Sequence, residues 1–285
     1  MAVESRPPGE AMAKTSMNSL DYARMTGREF RSLCRNGEWS GHTAGAAVDY
    51  VQANLAILPS EYAADFEAFC RSNPKPCPIL EVLETGNPAP AKTANDADIR
   101  TDLALYRVYR GGELSEEPSD ISSLWDGEMV AFLIGCSFTF EKRLAGADIP
   151  LRHIECGVNV PMYVTNIRCE PVGSFSGPLV VSMRPIPMDQ VAEATRITGQ
   201  IPQVHGSPVH TGAPEAIGIK DISQPDFGDP VLIKDGEVPA FWACGVTPQA
   251  VAFEAKLPLM ITHSPGHMFV TDVLEAYVER FFPAP

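Results

Sequence analysis

The fold class is decided by residues 241–281, which read FWACGVTPQAVAFEAKLPLMITHSPGHMFVTDVLEAYVERF. The stretch contains two short apolar runs, at 241–244 and 259–262, that are bounded by turn residues as buried strands are. A helical pattern with a start signal follows each run, at 247–256 and at 271–281. Strand, helix, strand and helix therefore alternate, which predicts a mixed α/β protein.

The rest of the chain continues this alternation. Further helices are predicted at 26–36, 45–57, 60–72, 126–145 and 187–198, and further strands at 79–83, 105–110, 160–167, 179–183 and 231–233. Asp235-Gly236 favours a tight turn, so the runs at 231–233 and 241–244 are predicted to form a hairpin. Cys136 lies in the predicted helix 126–145 and is expected in the core. No internal repeat stands out.

The length of 285 residues and the apolar content of 45% suit one large domain or two smaller ones, and we expect two. The acidic, turn-rich segment 111–120, GGELSEEPSD, is typical of a domain boundary. The predicted organisation has three parts. They are a flexible tail at 1–18, a main α/β domain made of 19–113 with 240–285 (a sheet flanked by helices), and a smaller α+β domain at 114–239.

The composition restricts the classes of partner that the protein can bind. The chain has 22 Lys and Arg against 36 Asp and Glu, a net charge of -14, which disfavours nucleic acids and anionic membranes because both require fields of positive charge. No apolar run approaches the roughly 20 residues of a membrane helix. The seven cysteines form no CxxC pair, as expected of reduced thiols in the cytoplasm. We expect a cytoplasmic protein with a small-molecule partner, either a monomer or a homo-oligomer.

Four of the six histidines lie in two loops, HGSPVH at 205–210 and HSPGH at 263–267. Pro and Gly exclude a helix interior in both loops, so each imidazole is held in a defined turn. Imidazole titrates nearest neutral pH, which favours proton transfer or metal binding. Zinc ligands usually come with thiolates or carboxylates at shorter spacing, so no metal is predicted. The catalytic candidates are His205, His210, His263 and His267.

Two segments are candidates for binding an anion. Gly245 and Thr247 stand where a strand passes into a helix, and free backbone N–H groups at such a helix start attract a carboxylate. A simple, well-capped helix is the alternative. His42 and Thr43 lie in the glycine-rich WSGHTAG at 39–45, which can cradle an anion but lacks the GK[ST] of a phosphate loop.

Charged residues supply further candidates. Arg31 and Arg35 are four residues apart on one helix face and can clamp a carboxylate together, unless they only solvate the surface. Glu155, Asn159 and Arg168 are surrounded by apolar residues, where charged groups need partners.

Long strings in the chain resemble the D-glutamate cyclase family. They include RxxxRxGxWSGHTAG (31–45), NPKPCPILEVLETGNP (73–88), MVAFLIGCSFTFE (129–141), RHIECGVNVPMYVTNI (152–167), FWACGVTPQ (241–249) and ITHSPGHMFVTD (261–272). The resemblance runs through nearly the whole chain from about residue 20. It implies a two-domain α/β hydro-lyase that converts D-glutamate to 5-oxo-D-proline and water, and it brings no residue roles with it. The reaction itself needs no redox cofactor, and we expect none.

The reaction requires a base for the amine, donors for the tetrahedral oxyanion and an acid for the departing oxygen. We assign the base to His263 or His267 and the acid to His205 or His210. Candidates for orienting an imidazole are Asp272 and Glu155, and candidates for holding the α-carboxylate are Arg31, Arg35 and the helix start at Thr247. Three alternatives stay open: a hydro-lyase of another small amino or hydroxy acid, a metal-dependent hydrolase, and a non-catalytic carboxylate-binding protein.

Overall fold

The computed structural model describes residues 19–285, and the tail predicted at 1–18 lies outside these residues. The strands are β1 (Tyr50–Pro59), β2 (Ile79–Val82), β3 (Tyr106–Arg110), β4 (Glu113–Glu116), β5 (Met129–Gly135), β6 (Met162–Arg168), β7 (Pro178–Pro187), β8 (His210–Thr211), β9 (Glu237–Ala243), β10 (Met260–His263) and β11 (Phe269–Leu274). The helices are α1 (Ser19–Ala23), α2 (Gly27–Arg35), α3 (Ser60–Ser72), α4 (Phe138–Gly146), α5 (Arg152–Cys156), α6 (Val191–Gly199), α7 (Thr247–Ala255) and α8 (Val278–Phe281). Helices alternate with strands, so the predicted α/β class is confirmed.

The strands form two antiparallel sheets. The larger sheet has the order β2-β5-β1-β10-β3-β4, with β11 also paired to β1. Its centre is the long β1–β5 ladder, which runs from Ala53 opposite Gly135 to Pro59 opposite Met129. The smaller sheet has the order β6-β7-β9-β8. The larger sheet thus takes β5 from the segment 114–239, while β9 straddles the predicted boundary at residue 240 and belongs to the smaller sheet.

Three predicted helices are wholly or partly strands. The segment 45–57 is a turn followed by β1, the first half of 126–145 is β5, and the first residues of 271–281 belong to β11. Every residue of β5 and all but the two end residues of β1 are buried. A strand covered on both faces reads as a continuous apolar run and loses the alternation that distinguishes it from a helix.

The predicted hairpin is also wrong. Asp235-Gly236 does form a turn, since Glu237 N–H donates to Lys234 O at 3.0 Å. Residues 231–233 are not a strand, however, and β9 pairs instead with β7, with Trp242 opposite Ser182. The turn signal was correct, but long-range pairing decided the partner strand.

Two apolar cores support the sheets. Phe66 of α3 packs edge-on against Phe132 of β5, with ring centroids 4.9 Å apart, in the layer between the two sheets. On the other side, Phe140 of α4 packs against Trp242 of β9 at 5.5 Å. These contacts fix the ends of β5 and β9 in the interior. Within residues 19–285, no helix has the length and apolar character needed to cross a membrane.

Candidate active site

Strands β5, β9 and β10 end at one place, next to Asn54 and Leu55 of β1. Asn54 Nδ2 donates to Gly135 O at the end of β5, at 2.6 Å. Gly245, just after β9, packs so closely on Asn54 that a Cβ there would collide with the amide. Leu55 N–H donates to the ring of His263 at the end of β10. The site is therefore built around the middle of the central strand.

Two buried thiols lie at these strand ends. Cys136 follows β5 and Cys244 follows β9, and the two share an apolar cluster with Met268 and the partly buried Phe227. Phe138 N–H donates to Cys136 Sγ at 3.5 Å. The prediction that Cys136 is buried is confirmed, since it is 5% exposed, but it lies at a strand–helix junction rather than within a helix.

His263 is held by the backbone of β1. Its Nδ1 lies 3.1 Å from Leu55 N and 3.2 Å from Leu55 O. An amide N–H can only donate and a carbonyl oxygen can only accept, so the two contacts correspond to opposite tautomers. We assign the tautomer of the 3.1 Å contact, in which Nδ1 accepts and the proton is on Nε2. Burial lowers the pKa of His263 to about 3, so the ring is neutral at neutral pH. Its Nε2 is buried with no hydrogen-bond partner among the described residues.

The loop after β10 is joined to the glycine-rich loop. Thr43 N–H donates to Gly266 O at 2.8 Å, and Thr43 Oγ1 donates to Gln52 Oε1 at 2.7 Å. His267 Nδ1 lies 3.1 Å from Pro265 O. Burial and then the nearby His267 lower the pKa of His42, whose Nδ1 is buried and unpaired within the described chain. Two predicted candidates, His42 and His267, are thereby brought together.

Asn159 joins the same loops from the opposite side. Its Nδ2 donates to Pro265 O at 3.1 Å, and its N–H donates to Asp229 Oδ2 at 2.9 Å. A Cβ at Gly266 would collide with the Asn159 amide, so this contact requires glycine. Asn159 is 8% exposed, and its Oδ1 lacks a partner among residues 19–285. A buried acceptor without a protein donor is unfavourable, so this position favours a polar partner.

A buried ionic network lies behind Cys136. Arg184 is fully buried, its Nε donates to Glu141 Oε1 at 2.9 Å, and its Nη2 donates to Ser137 Oγ at 3.0 Å. His153 Nε2 lies 3.0 Å from Glu141 Oε1, although not in hydrogen-bond alignment. Burial alone would raise the pKa of Glu141, but His153 and Arg184 outweigh it and hold that pKa below its usual value. The sequence analysis missed this network.

Arg107 lies on the outer side of His263. Its Nε donates to Glu117 Oε1 at 2.7 Å and its Nη1 to Gln249 Oε1 at 3.4 Å, while Gln249 Nε2 donates to His263 O at 2.7 Å. The Arg107 side chain is 21% exposed, so part of its guanidinium reaches solvent. The sequence analysis included Arg107 only as part of the predicted strand 105–110. No feature of the neighbouring sequence marks it as a site residue.

The comparison with known sequences now identifies the family. A sequence profile described as D-glutamate cyclase matches residues 130–272. A "Putative hydro-lyase" of Bacillus licheniformis is 63% identical over 245 residues, covering 86% of this chain and 94% of that protein. Proteins of the same description from Rubrobacter xylanophilus and Geobacillus kaustophilus are 59% and 58% identical, each over 88% of this chain and over 97% and 95% of their own lengths.

The chain belongs to the D-glutamate cyclase family. It is an enzyme of the hydro-lyase class, as its relatives are described. Among solved structures, a nitrogen repressor-like protein from Methanococcus jannaschii aligns over 82% of this chain and 91% of its own at 8% identity, with a TM-score of 0.36. The stretch matched to the D-glutamate cyclase profile includes Cys136, Asn159, Cys244, His263 and His267.

The arginine candidates on α2 of this D-glutamate cyclase family member are bound within the chain. Arg31 Nη1 donates to Asp272 Oδ1 at 2.9 Å. Arg35 donates from Nε and Nη2 to the two carboxylate oxygens of Asp102, at 2.7 Å each. The Asp272 carboxylate therefore neutralises a guanidinium instead of contacting an imidazole, and both arginines form internal ion pairs.

The remaining candidates also have partners. Arg168 forms a two-point ion pair with Glu254 at 2.8 and 2.6 Å on the exposed surface. Glu155 is exposed and lies 3.1 Å from Arg152. Thr247 begins α7, with Val246 at the cap position, and its Oγ1 donates to Cys244 O at 2.7 Å.

The first histidine loop begins beside the end of β5, where a Cβ at Gly135 would collide with Gln203 O. His205 Nε2 is buried there without a partner among the described residues. His205 Nδ1 donates to Lys75 O at 2.8 Å, and burial lowers the pKa of His205 to about 4. His210 Nε2 donates to Ala213 O at 2.7 Å. Over residues 19–285, no group of three or more His, Cys, Asp or Glu side chains is arranged to hold a metal ion.

Proposed function

We propose that this protein cyclises D-glutamate to 5-oxo-D-proline with loss of water, at the site where β5, β9 and β10 end. The supporting observation is that three of the nine buried side-chain atoms without partners in the described residues, His42 Nδ1, Asn159 Oδ1 and His263 Nε2, belong to the joined loops and strand ends of this site. Buried polar atoms are almost always paired in proteins, so these three favour a polar ligand. The description of the family as D-glutamate cyclase favours D-glutamate as that ligand.

The reaction moves protons from nitrogen to oxygen. The α-amine attacks the γ-carboxyl carbon, a C–N bond forms and a C–O bond breaks. The departing oxygen leaves as water and gains the two protons that the ammonium group gives up. No electrons are transferred to an acceptor, so the step needs a proton acceptor, an oxyanion donor and correct orientation of the two ends of the substrate.

The unpaired side-chain atoms complement the charged groups of the substrate. His42 Nδ1 and Asn159 Oδ1 accept hydrogen bonds and suit the ammonium group, with His42 taking the proton that frees the nitrogen lone pair. Its lowered pKa keeps the His42 ring neutral and able to accept. His263 Nε2–H is a donor and suits the oxyanion on the γ-carbon.

We assign the α-carboxylate to Arg107. Its guanidinium is the cation beside His263 that still reaches solvent, whereas Arg31 and Arg35 are closed in ion pairs with buried or half-buried carboxylates. Substrate binding would then exchange part of the Arg107–Glu117 pairing for a second carboxylate. We retain His267 as a neighbour that tunes the pKa of His42.

The test is conversion by the purified protein. D-glutamate and L-glutamate are incubated separately, with and without a chelator, and 5-oxoproline is measured by chiral chromatography. We expect product from D-glutamate that is independent of the chelator. His42→Ala and His263→Asn should each lower turnover by about 100-fold or more, because each removes one proton-transfer or oxyanion partner.

Arg168→Gln serves as the matched control, since it removes an exposed ion pair with Glu254. Its activity should equal that of the wild type. Absence of 5-oxoproline from D-glutamate, or full activity in both histidine variants, would refute the proposal. Stabilisation of the protein by D-glutamate against thermal unfolding, without formation of product, would instead indicate a carboxylate-binding protein.

The relatives are described only as hydro-lyases. This general description favours a second candidate function. A dehydration of another small amino or hydroxy acid would use the same donors and acceptors, and a panel of such acids tests it in the same assay. Cyclisation of glutamate would place the protein in amino-acid metabolism. The seven cysteines are all free thiols, which supports a cytoplasmic location.

A further inference from the structure

A cavity of about 180 Å³ lies between the start of β1 and the helices α4 and α5. Its walls come from residues 45–52, from residues 138–145 of α4 and from residues 151–154. The lining contains none of the residues whose unpaired atoms are assigned to the substrate, which are His42, Asn159 and His263. The cavity is therefore a separate site, and we call it the Glu141 cavity.

Most of the wall of the Glu141 cavity is apolar. The apolar side chains that line it are Ala46, Val48, Phe138, Leu151 and Ile154. Val48 and Ile154 are each 37% exposed, so the chain leaves part of this apolar surface uncovered. Because an apolar cavity of about 150 Å³ can hold a benzene molecule, the Glu141 cavity has room for one small ring compound.

Glu141 supplies a buried acceptor to this apolar wall. Its side chain is 6% exposed. Arg184 donates from Nε and Nη2 to Oε1, and His153 Nε2 lies 3.0 Å from the same oxygen. Oε2 forms no hydrogen bond with any residue of the described chain, 19–285. One carboxylate oxygen is thus held by the protein, and the other is left for an occupant of the cavity.

The charge state of Glu141 restricts that occupant to a hydrogen-bond donor. Burial raises the pKa of Glu141, but His153 and Arg184 outweigh it, so the carboxylate is ionised and can only accept. The buried guanidinium of Arg184 already balances its charge. Lys142, at the exposed edge of the cavity, is paired with Asp49 at 2.6 Å. A second cation would lose its hydration without meeting an unbalanced anion, so a neutral donor is favoured.

We propose that the Glu141 cavity binds a small, uncharged aromatic molecule with one N–H or O–H donor, which bonds to Glu141 Oε2. Molecules of the indole and phenol classes have this chemistry. Phe138 in the wall favours an aromatic occupant, because paired aromatic rings gain more than their buried area alone gives. The inference does not depend on the proposed function.

An occupant of the Glu141 cavity also contacts the glycine-rich loop. Gln52 Nε2 donates to Thr43 O at 3.1 Å and to Ala46 O at 2.9 Å, and both Gln52 and Ala46 line the cavity. His42 is the direct chain neighbour of Thr43. Binding therefore takes place against the segment that fixes the position of His42.

The first experiment compares probes that differ only in the donor. Indole and phenol are titrated into the 15N-labelled protein, each beside its methylated counterpart, 1-methylindole or anisole, and amide shifts are followed by NMR. We expect shifts in residues 45–52, 138–146 and 151–156. The methylated probes should bind about tenfold or more weakly, because they lose a hydrogen bond to a charged acceptor. Equal dissociation constants within each pair would overturn the inference.

A second comparison tests the requirement for a neutral ligand. Benzylamine and benzoate have a ring of the same size and carry a positive and a negative charge. Both should bind more weakly than phenol, benzoate because it faces the Glu141 carboxylate and benzylamine because Arg184 already balances that carboxylate. Tighter binding of either ion than of phenol would contradict the assignment of a neutral donor.

The variant Glu141→Gln tests the acceptor itself. Arg184 can only donate, so it keeps the amide oxygen on its own side and turns the amide NH2 toward the cavity. The acceptor in the wall becomes a donor. Indole should then bind no more tightly than 1-methylindole, with folding verified by circular dichroism. Full preference for indole in this variant would overturn the role of Glu141.

A variant at the edge of the cavity keeps the test independent of the buried network. Ala145 lines the cavity from an exposed position on α4, so Ala145→Phe should fill space there without changing Glu141 and weaken all probes by about tenfold or more. The matched control is Ala64→Phe, at an exposed position on α3, which should bind as wild type. Unchanged binding in the Ala145 variant would place the probes elsewhere and refute the site, even where Glu141→Gln does not fold.

Discussion

The two histidine loops have nearly the same composition but opposite chemical states. In the first loop, His205 Nδ1 donates to the carbonyl of Lys75, so a neutral ring has its lone pair on Nε2. In the second, His263 Nδ1 accepts from Leu55 N–H, so the proton is on Nε2. Both rings are buried and both pKa values are lowered. The backbone group beside each ring, not the loop sequence, decides which hydrogen bond it can offer.

The loops also differ in the guanidinium that faces them. Arg184 is fully buried with Glu141 and lowers the pKa of His205 further, after burial. Arg107 is partly exposed with Glu117 and does the same for His263. A buried pair contributes to stability as a unit, whereas a partly exposed one can exchange partners with a ligand.

The largest expected effect separates these two arginines. Arg184→Met leaves Glu141 buried without its main partner and should lower the free energy of unfolding by about 3–5 kcal/mol. Arg107→Met should change it by less than about 1 kcal/mol, because the lost pair is partly solvated. Urea unfolding of both variants measures the difference. Equal destabilisation would show that the two loops do not differ in this respect.

The next effect concerns catalysis. His263→Asn keeps an acceptor for Leu55 N–H but loses the Nε2 donor, and should lower kcat by about 100- to 1,000-fold. His205→Asn is the matched change in the other loop and should leave kcat within about twofold of the wild type while lowering Tm. Turnover of D-glutamate and thermal unfolding are measured on both. Comparable losses of kcat would place both loops in the reaction.

Acid should destabilise the protein through both rings. An unfolded histidine titrates near pH 6.5, but folded His205 and His263 have pKa values of about 4 and about 3. As the pH falls below about 6.5, the unfolded chain binds protons that the folded chain cannot. The free energy of unfolding therefore falls, by up to about 1.4 kcal/mol per unit of pKa difference, and the loss is complete only below the folded pKa.

Urea unfolding at pH 7, 6, 5 and 4.5 measures this slope. His205→Asn and His263→Asn should each flatten the slope over that range, because the asparagine side chain does not titrate. Above pH 7, neither substitution should change the pH dependence of the free energy of unfolding. A variant with the slope of the wild type would mean that its imidazole titrates normally in the folded state.

The smallest effect concerns the outer histidine of the first loop. His210 is half-buried and stacks on Phe241, with ring centroids 5.9 Å apart. His210→Ala should cost about 1 kcal/mol of stability and leave turnover unchanged. His267→Ala should alter the pH dependence of turnover, because His267 lowers the pKa of His42. A change of turnover in the His210 variant would contradict the contrast between the loops.

The sequence predicted most of the elements, both exposed and buried, but not the central strands β1 and β5 of the larger sheet. The helix predicted at 60–72 is α3, and the strand predicted at 105–110 is β3 with one residue fewer. The central strand β1 was predicted as a helix because both of its faces are covered and its apolar pattern has no period. Long-range pairing, such as β9 with β7, leaves no local signal.

The candidate site shows the same limit. His42, Thr43, Asn159 and His267 were predicted separately, and the loops that carry them are bound together in the structure. Arg184 and Glu141 were missed because they are 43 residues apart and each looks ordinary in its own segment.

Gly245 has one further consequence. Its α-carbon lies against the amide of Asn54, so the chain that follows β9 of the smaller sheet contacts β1 of the larger sheet at this position. An added methyl group there would collide with the Asn54 amide, so α7 could start at its present position only if β1 shifted. The lack of a side chain at one residue thus determines how closely the smaller sheet's last turn approaches the central strand.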